Sequence, residues 1–282
     1  MDLEIPAART ILKASETMKE KSIINPFGAP VYYQEAVSST MEESRLLAAR
    51  GEAHGTVIVA DFQEQGRGRA GRPWLAARGQ NLFFTILLRF ACFKAIPRAI
   101  TLRTGLAVSL AIEDFAPPLR GQVKVKWPND IMLFSKKTAG ILTESDSSLV
   151  YIGIGINVFQ REFPAQLKAK ATSILIETER AGQSGNTDRE RGRDILLGHI
   201  LARLYTELTA DRADWRSRLE ERLFKKDERV RFTPGLADSP LKVEGALRGI
   251  DPDGGLIIET EGDKRLFTTG ELDVYGESER KL

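Results

Sequence analysis

Cysteine and histidine are scarce in this sequence of 282 residues, which holds one cysteine, Cys92, and two histidines, His54 and His199. A single cysteine excludes a disulfide framework within the chain and is typical of a cytoplasmic protein. The histidines lie far apart in sequence, which argues against a metal site built from histidine and cysteine. We expect Cys92 to be a small core residue at the end of an apolar strand.

The sequence also lacks a strong charge excess and a long apolar run. The formal net charge is +2, whereas a dedicated nucleic-acid binder usually carries a larger positive excess. The longest apolar candidate, Leu82–Phe93, is shorter than the roughly 20 residues of a membrane-spanning helix and contains Arg89. The acidic start, Met1–Glu4, does not resemble a signal peptide. We therefore expect a soluble protein with neither DNA nor a membrane as partner.

A change of pattern near Asp227 divides the chain. Residues 1–28 hold one short amphipathic pattern, about Ala7 to Lys21, which we interpret as an N-terminal arm or extra helix. Residues 29–226 alternate strong strands with helices and are long enough to bury a sizeable core. Residues 227–282 contain short strands separated by Pro-Gly and Asp-Gly turns, which predicts a small all-β barrel. The expected fold class is α/β (α+β), with a mixed, mainly antiparallel sheet flanked by helices.

The pattern of apolar residues and turn signals predicts individual elements. In residues 29–226 the expected strands are Val31–Glu35, Thr56–Asp61, Asn81–Phe90, Val123–Trp127, Asp130–Phe134, Thr138–Ser145 and Leu149–Val158. The expected helices are Met41–Ala49, Arg98–Phe115, Thr172–Glu179, Arg193–Leu208 and Trp215–Phe224. The expected barrel strands are Arg229–Phe232, Lys242–Ile250, Gly255–Glu259 and Lys264–Thr268.

The central motif is the loop Gly66-Arg67-Gly68-Arg69-Ala70-Gly71-Arg72-Pro73-Trp74, between two strong strands. Its glycines let the backbone approach an anion closely, and its arginines add permanent charge and planar donors that suit phosphate. Trp74 offers a flat face on which an adenine could stack. The alternative is a solvated basic loop or an RNA-binding Gly-Arg stretch. The motif differs from a Walker loop and from a Rossmann fingerprint.

A second motif, Lys126-Trp127-Pro128-Asn129-Asp130, presents an amide and a carboxylate at a strand junction. A carboxylate beside a phosphate site suggests Mg²⁺, which favours one or two carboxylates together with phosphate oxygens. Taken alone, Pro-Asn-Asp is better explained as an ordinary turn.

Two further motifs are carried by predicted strands. Lys137, at the mouth of the apolar strand Lys137–Leu142, is able to donate to a carboxylate or to a developing negative charge, although a surface lysine in a hairpin is the alternative. In Gly153–Val158, small residues alternate with isoleucine and leave one strand face nearly bare, either for a ligand or for close packing. Asn157, at the end of that strand, would supply a polar contact.

In this order the four motifs resemble the biotin–protein ligase family, from about Tyr33 to Asn157 and more weakly to about Val274. The resemblance implies a sheet related to class II synthetases, followed by an SH3-like barrel. It implies ATP-dependent activation of biotin to biotinyl-5′-AMP, and transfer of the biotin to a lysine of a biotin carboxyl carrier protein. ATP and biotin would be substrates and Mg²⁺ would assist. A homodimer is left open.

The resemblance also implies a role for each matching residue. Lys137 and Arg69 would be catalytic. The biotin-binding residues would be Ser39, Thr40, Gln63, Arg67, Gly68, Arg69 and Lys137. The ATP-binding residues would be Arg69, Arg72, Trp74, Lys126, Asn129 and Asn157, with Asp130 as a ligand of Mg²⁺.

Two positions depart from the family pattern. The family's Asn after Ser-Thr is Met41 here, and its Ser-Pro-x-Gly is replaced by Leu75-Ala76-Ala77-Arg78-Gly79.

Three rival functions remain as alternatives. A lipoate ligase shares the fold but has a different loop motif. A repressor needs a DNA-binding domain, for which residues 1–28 are too short, and a Gly-Arg RNA binder needs a basic excess.

Overall fold

An eight-stranded mixed sheet forms the main part of the molecule. The computed structural model describes residues 18–183, 188–210, 214–235 and 240–273. The strands are β1 Lys19–Glu20, β2 Val31–Val37, β3 Val57–Gln63, β4 Leu82–Arg89, β5 Val123–Lys126, β6 Asp130–Leu133, β7 Lys136–Asp146 and β8 Leu149–Ile156. Their order is β1-β2-β3-β4-β8-β7-β6-β5. The β2–β3 pair is parallel and the other pairs are antiparallel, so the expected mixed, mainly antiparallel sheet is confirmed.

Helices cover both faces of this sheet. They are α1 Thr40–Ala49, α2 Ile100–Phe115, α3 Ala165–Lys168, α4 Ile174–Arg180, α5 Arg189–Thr209 and α6 Trp215–Glu220. Successive side chains of a strand point to opposite faces. On β4, Phe84 and Ile86 therefore join the main core, to which α2 and α5 contribute, while Leu87 packs against Met41 of α1. Thr85 shares the second face with Leu87, so it points toward the side that α1 covers.

The C-terminal part is a five-stranded antiparallel sheet. Its strands are β9 Arg229–Pro234, β10 Val243–Ile250, β11 Leu256–Thr260, β12 Asp263–Phe267 and β13 Gly270–Leu272, in the order β12-β11-β10-β9-β13. It docks on the main sheet through Trp127, whose Nε1–H donates to the carbonyl of Gly254 at 2.9 Å. A Cβ at position 254 would lie 2.8 Å from the Cβ of Ala99, so glycine is needed for this close approach.

The structure corrects several expectations. Lys19 and Glu20 form a strand that pairs with β2, not the end of a helix, and the remainder of that pattern, residues 7–17, lies outside the described residues. Cys92 is exposed, not buried, because β4 already ends at Arg89. The strand β13 and the short helix α3 were not predicted.

The apolar stretch of greatest length also differs from the expected one. Residues 93–115 are long and apolar enough to cross a membrane by length and composition, and they exceed Leu82–Phe93 in length. This stretch contains α2, and 56% of its apolar window is buried inside the fold. A core helix passes the same test, because burial in protein and burial in lipid select the same residues.

Candidate active site

The floor of the candidate site is a nearly bare patch of the sheet. Gly140 of β7 and Gly155 of β8 are direct cross-strand partners. A Cβ at Gly140 would lie 2.7 Å from the Trp74 ring, and one at Gly155 would lie 3.0 Å from it. The ring of Trp74 therefore packs closely on the strand face that Gly140 and Gly155 leave bare. The ammonium group of Lys137 lies 5.2 Å from the centre of the same ring.

A cavity of about 350 Å³ opens above this floor. It brings together every residue to which a role was assigned from the sequence. These residues are Ser39, Thr40, Gln63, Arg67, Gly68, Arg69, Arg72, Trp74, Lys126, Asn129, Asp130, Lys137 and Asn157. They come from the start of α1, from β3, the arginine loop (residues 66–74), β5, the turn before β6, β6 itself, β7 and the residue after β8. The fold thus assembles them from distant parts of the chain.

One end of the cavity is uncharged and rich in hydrogen-bonding groups. Ser39 is the N-cap of α1, and its hydroxyl accepts from the backbone N–H of Met41 at 3.2 Å. The backbone N–H and the hydroxyl of Thr40 donate to Oε1 of Gln63 at 2.9 and 3.1 Å. The hydroxyl of Thr85 lies 2.9 Å from that of Thr40. The start of α1 thus brings Ser39 and Thr40 to this end of the cavity, and the sheet adds Gln63 of β3 and Thr85 of β4.

Met41, which replaces the family's Asn, contributes an apolar wall at this end. Its side chain is buried, and its methyl group would lie 2.9 Å from a Cβ at Gly153. The missing side chain of Gly153 therefore leaves the space that the end of the Met41 side chain occupies. The polar groups of α1 still reach the cavity, because the cap of the helix comes from Ser39 and not from residue 41.

The arginine loop is folded back on itself and held by ion pairs and hydrogen bonds. Arg67 and Pro73 form an isolated antiparallel bridge. Arg67 Nη2 lies 2.7 Å from a carboxylate oxygen of Glu42. Arg69 donates to Oδ1 of Asn129 at 3.3 Å and to the carbonyl of Gly270 at 3.5 Å. The charges of the loop are thus partly balanced within the protein before any ligand anion is considered.

Carboxylates and ammonium groups meet at the other end of the cavity. Asp130 Oδ1 lies 2.6 Å from Lys137 Nζ, and its Oδ2 lies 3.9 Å from Lys126 Nζ. Lys126 is buried, and this burial lowers the pKa of its ammonium group despite the nearby charges of Asp130 and Glu271. The buried ammonium group of Lys126 lacks its hydration shell, and the carboxylates of Asp130 and Glu271 offset only part of this desolvation cost. A bound anion would offset more of it.

Arg72 and Glu271 form the contact between the loop and the C-terminal sheet. The Arg72 guanidinium lies 2.9 Å from Oε1 and 3.2 Å from Oε2 of Glu271. This hydrogen bonding raises the pKa of Arg72. Burial alone would raise the pKa of Glu271, but the bonds and charge of Arg72 and the charge of Lys126 lower it overall. Burial lowers the pKa of Arg69.

Two asparagines of the site use their amide groups to hold backbone segments. Asn129 Nδ2–H donates to the carbonyl of Ile141 at 2.8 Å, and Asn157 Nδ2–H donates to that of Thr172 at 3.1 Å. Asn129 thus connects Arg69 to β7, and Asn157 supports the segment that follows α3. Their predicted contacts with the nucleotide stay predictions, as does the stacking of adenine on Trp74.

Several cavity residues were missed by the analysis of the sequence. The first is Thr85, which is fully buried and is the one hydroxyl residue within the apolar strand β4, a signal that could have found it. The second is Glu271 of β13, to which no role was assigned from the sequence. The third group lies around α3 and comprises Phe163, Leu167, Lys170 and Ala171. No pattern in the sequence indicated that this segment returns to the site through a parallel bridge between Lys137 and Ala171.

The residues around Asp130 fit Mg²⁺ only as an ion shared with phosphate groups. Among the described residues, no group of three or more His, Cys, Asp or Glu side chains could hold a metal by itself. Asp130 offers one carboxylate, which Mg²⁺ could use together with phosphate oxygens and water. Because Lys137 already neutralises that carboxylate, phosphate oxygens would have to supply most of the negative charge around the ion.

Comparison with known proteins identifies the family. Residues 33–157 match the model of the biotin/lipoate A/B protein ligase family, and residues 241–275 match that of the biotin protein ligase C-terminal domain. A Bacillus subtilis protein named bifunctional ligase/repressor BirA is 39% identical over 269 residues, which are 86% of this chain and 73% of that one. The match to its Bacillus spizizenii namesake spans only 46% of that protein.

A Paracoccus denitrificans protein named biotin–[acetyl-CoA-carboxylase] ligase is 30% identical over 240 residues, which are 83% of this chain and 96% of that protein. The chain belongs to the biotin protein ligase family. The solved biotin protein ligase of Aquifex aeolicus, in complex with biotin and ATP, has 31% identity and a TM-score of 0.69, over 86% of this chain and 97% of that one. This ligase therefore shares both the catalytic sheet and the C-terminal sheet with its solved relative.

Proposed function

We propose that the protein uses ATP to convert biotin to biotinyl-5′-AMP and then transfers the biotin to a lysine of a carrier protein. The observation that carries this proposal is the division of one cavity into two chemically different ends. One end is neutral and hydrogen-bonding, around Thr40 and Gln63, and the other is cationic, around Lys126 and Lys137. Biotin combined with ATP has the same division, with an uncharged ureido ring, an apolar chain and negatively charged groups.

The neutral end favours biotin over lipoate, the rival substrate. A cyclic urea brings one carbonyl acceptor and two N–H donors, whereas the dithiolane ring of lipoate makes no strong hydrogen bonds. Thr40 and Thr85 are buried and Gln63 is half-buried. A ligand that displaces water from this end without hydrogen-bonding to its polar groups incurs their desolvation cost. Met41 and Leu142 provide apolar surface beside these groups.

The cationic end suits the first reaction step. A carboxylate oxygen of biotin attacks the α-phosphorus of ATP, a new P–O bond forms, and the bond to pyrophosphate breaks. Both reactants are anions, so their approach is opposed by repulsion. Six cationic side chains and two carboxylates line the cavity, and this positive excess stabilises the crowded, negatively charged phosphorus centre. Lys137 and Arg69 would contact the carboxylate of biotin and the α-phosphate of ATP. Mg²⁺, bound through Asp130 and phosphate oxygens, would supply further positive charge.

The second step releases AMP. The amine of an acceptor lysine attacks the carbonyl carbon of the mixed anhydride, the C–O bond to AMP breaks, and the amine loses a proton. The enzyme needs no covalent nucleophile, because the anhydride is already activated. The arginine loop and the segment around α3 both border the cavity, and they would shield the anhydride from water. The Paracoccus relative's name supports a carboxylase carrier protein as the acceptor.

Incubation with ATP, Mg²⁺ and either labelled biotin or labelled lipoate tests the proposal. We expect the protein to catalyse biotin-dependent exchange of pyrophosphate into ATP, and to label an added carrier domain with biotin but not with lipoate. The same carrier with its acceptor lysine changed to Arg serves as the control and should stay unlabelled. Labelling with lipoate, or exchange that does not depend on biotin, would contradict the assignment.

A further inference from the structure

A short relay of hydrogen bonds lies behind the neutral end of the cavity. Thr85 of β4, Thr40 of α1 and Gln63 of β3 form it, with distances of 2.9 Å between the hydroxyls and 3.1 Å from Thr40 to Gln63 Oε1. Thr85 is fully buried and Thr40 is 4% exposed. Because water does not reach these hydroxyls, each must find its partner within the protein.

The direction of every bond in the relay follows from one group. The backbone N–H of Thr40 can only donate, and it points at Gln63 Oε1 at 2.9 Å. The carboxamide oxygen of Gln63 therefore faces Thr40, and the Thr40 hydroxyl must donate its single hydrogen to that oxygen. The Thr40 oxygen is then left to accept, and the hydrogen of the Thr85 hydroxyl fills that position.

The relay leaves Gln63 with only donor hydrogens to offer to a ligand. Its amide nitrogen lies beside Gly66, where an added Cβ would be 3.3 Å from it. A rotated amide would set Nε2 against the N–H of Thr40. To accept from Nε2, the Thr40 hydroxyl would have to turn toward Thr85, and the buried Thr85 hydrogen would lose its acceptor. Both consequences cost free energy, so the orientation of the amide is locked.

We propose that Thr85 is a positioning residue for substrate selection: through Thr40 it holds Gln63 as a donor, so that the site takes a cyclic urea and rejects a cyclic guanidinium. This inference rests on the proposed function. A urea presents a carbonyl oxygen to the Gln63 amide, whereas the guanidinium of 2-iminobiotin presents N–H groups at the same place. Donor would then face donor, and rotation of the amide, the natural remedy, is opposed by the relay.

The test compares biotin with 2-iminobiotin at neutral pH, where the cyclic guanidine is protonated, in the pyrophosphate exchange assay. Thr85→Val removes the hydroxyl and keeps the side-chain shape, and Thr85→Ser restores the hydroxyl. Thr143→Val is the matched control, because Thr143 of β7 accepts from Thr101 of α2 at 3.0 Å in a second threonine pair, which does not line the cavity.

For Thr85→Val we expect the KM for biotin to rise roughly three- to tenfold, the effect of one neutral hydrogen bond. The kcat and the KM for ATP should stay within about twofold, and the preference for biotin over 2-iminobiotin should fall, because one of the two restraints on the amide is gone. Thr85→Ser should keep the preference, and Thr143→Val should leave all values unchanged. If the Val variant does not fold, Thr85→Ala serves the same comparison.

Two results would overturn the inference in distinguishable ways. If the wild type turns over biotin and the Thr85 variant loses activity toward both compounds in equal proportion, Thr85 has a structural role only and the relay does not select the substrate. If the wild type shows no biotin-dependent exchange, the proposed function fails and the inference fails with it.

Discussion

The guanidinium of Arg72 and the carboxylate of Glu271, 199 positions apart in sequence, form a bidentate ion pair. Its Nη1–Oε1 and Nη2–Oε2 distances are 2.9 and 3.2 Å. The pair joins the arginine loop to strand β13 of the C-terminal sheet. The adjacent carbonyl of Gly270 accepts from Arg69 at 3.5 Å. Because Glu271 itself lines the cavity, the C-terminal sheet contributes a charged group to the site and does more than stabilise the fold.

Glu271→Gln should loosen the arginine loop without unfolding the protein. A partly exposed ion pair contributes about 0–1 kcal/mol to stability, so the free energy of unfolding should change by no more than that. Tryptic cleavage after Arg67 and Arg69 should become several-fold faster, because β13 no longer restrains the loop. The control is Glu259→Gln, which breaks the Arg248–Glu259 pair elsewhere in the same sheet. Equal loop cleavage in both variants would argue against the restraint.

The same ion pair should make the loop sensitive to acid. The pKa of Glu271 lies below its ordinary value of 4.5. A carboxyl whose pKa is lowered by folding stabilises the fold above its unfolded pKa, and this contribution disappears as pH falls through the folded pKa. Hydrogen exchange of the loop amides, corrected for intrinsic rates, should therefore be flat around neutrality and accelerate below pH 4.5. The Glu271→Gln variant should lack the acid-dependent part of this change, and a wild-type transition near neutral pH would point to another group.

Lys137→Ala should reduce the rate of adenylate formation by roughly two to three orders of magnitude, the usual effect of removing one group that stabilises developing charge. The variant loses the positive charge where the two anions meet, and it also leaves Asp130 without its 2.6 Å partner. Pyrophosphate exchange measures this loss, and circular dichroism checks that the protein is folded. Lys136→Ala is the matched control, since its side chain bonds a backbone carbonyl at 3.4 Å outside the cavity. Exchange at a wild-type rate in Lys137→Ala would contradict the assignment.

The parts of the site that sequence analysis found are those with local signals. The glycines and arginines of residues 66–74 and the Lys137 motif are contiguous, and the structure places them in one cavity. The missing parts depend on tertiary contacts. Glu271 meets Arg72 only after the C-terminal sheet docks through Trp127 and Gly254. Cys92 is exposed because β4 ends three residues earlier, at a boundary that apolar composition does not mark.

Two glycines with opposite environments provide the last test. Gly155→Ala places a Cβ 3.0 Å from the ring of the half-buried Trp74, which also packs on Gly140. We expect this variant to lose about 1–3 kcal/mol of stability from overpacking, and to lose activity as Trp74 is displaced into the cavity. Gly198→Ala lies in α5 with nothing within 4 Å, so it should gain up to about 1 kcal/mol through helix propensity. Urea denaturation of both variants measures these shifts. Tryptophan fluorescence, to which Trp74 contributes together with Trp127 and Trp215, should change in Gly155→Ala only. A Gly155 variant with unchanged stability and activity would show that Trp74 is not fixed against the floor.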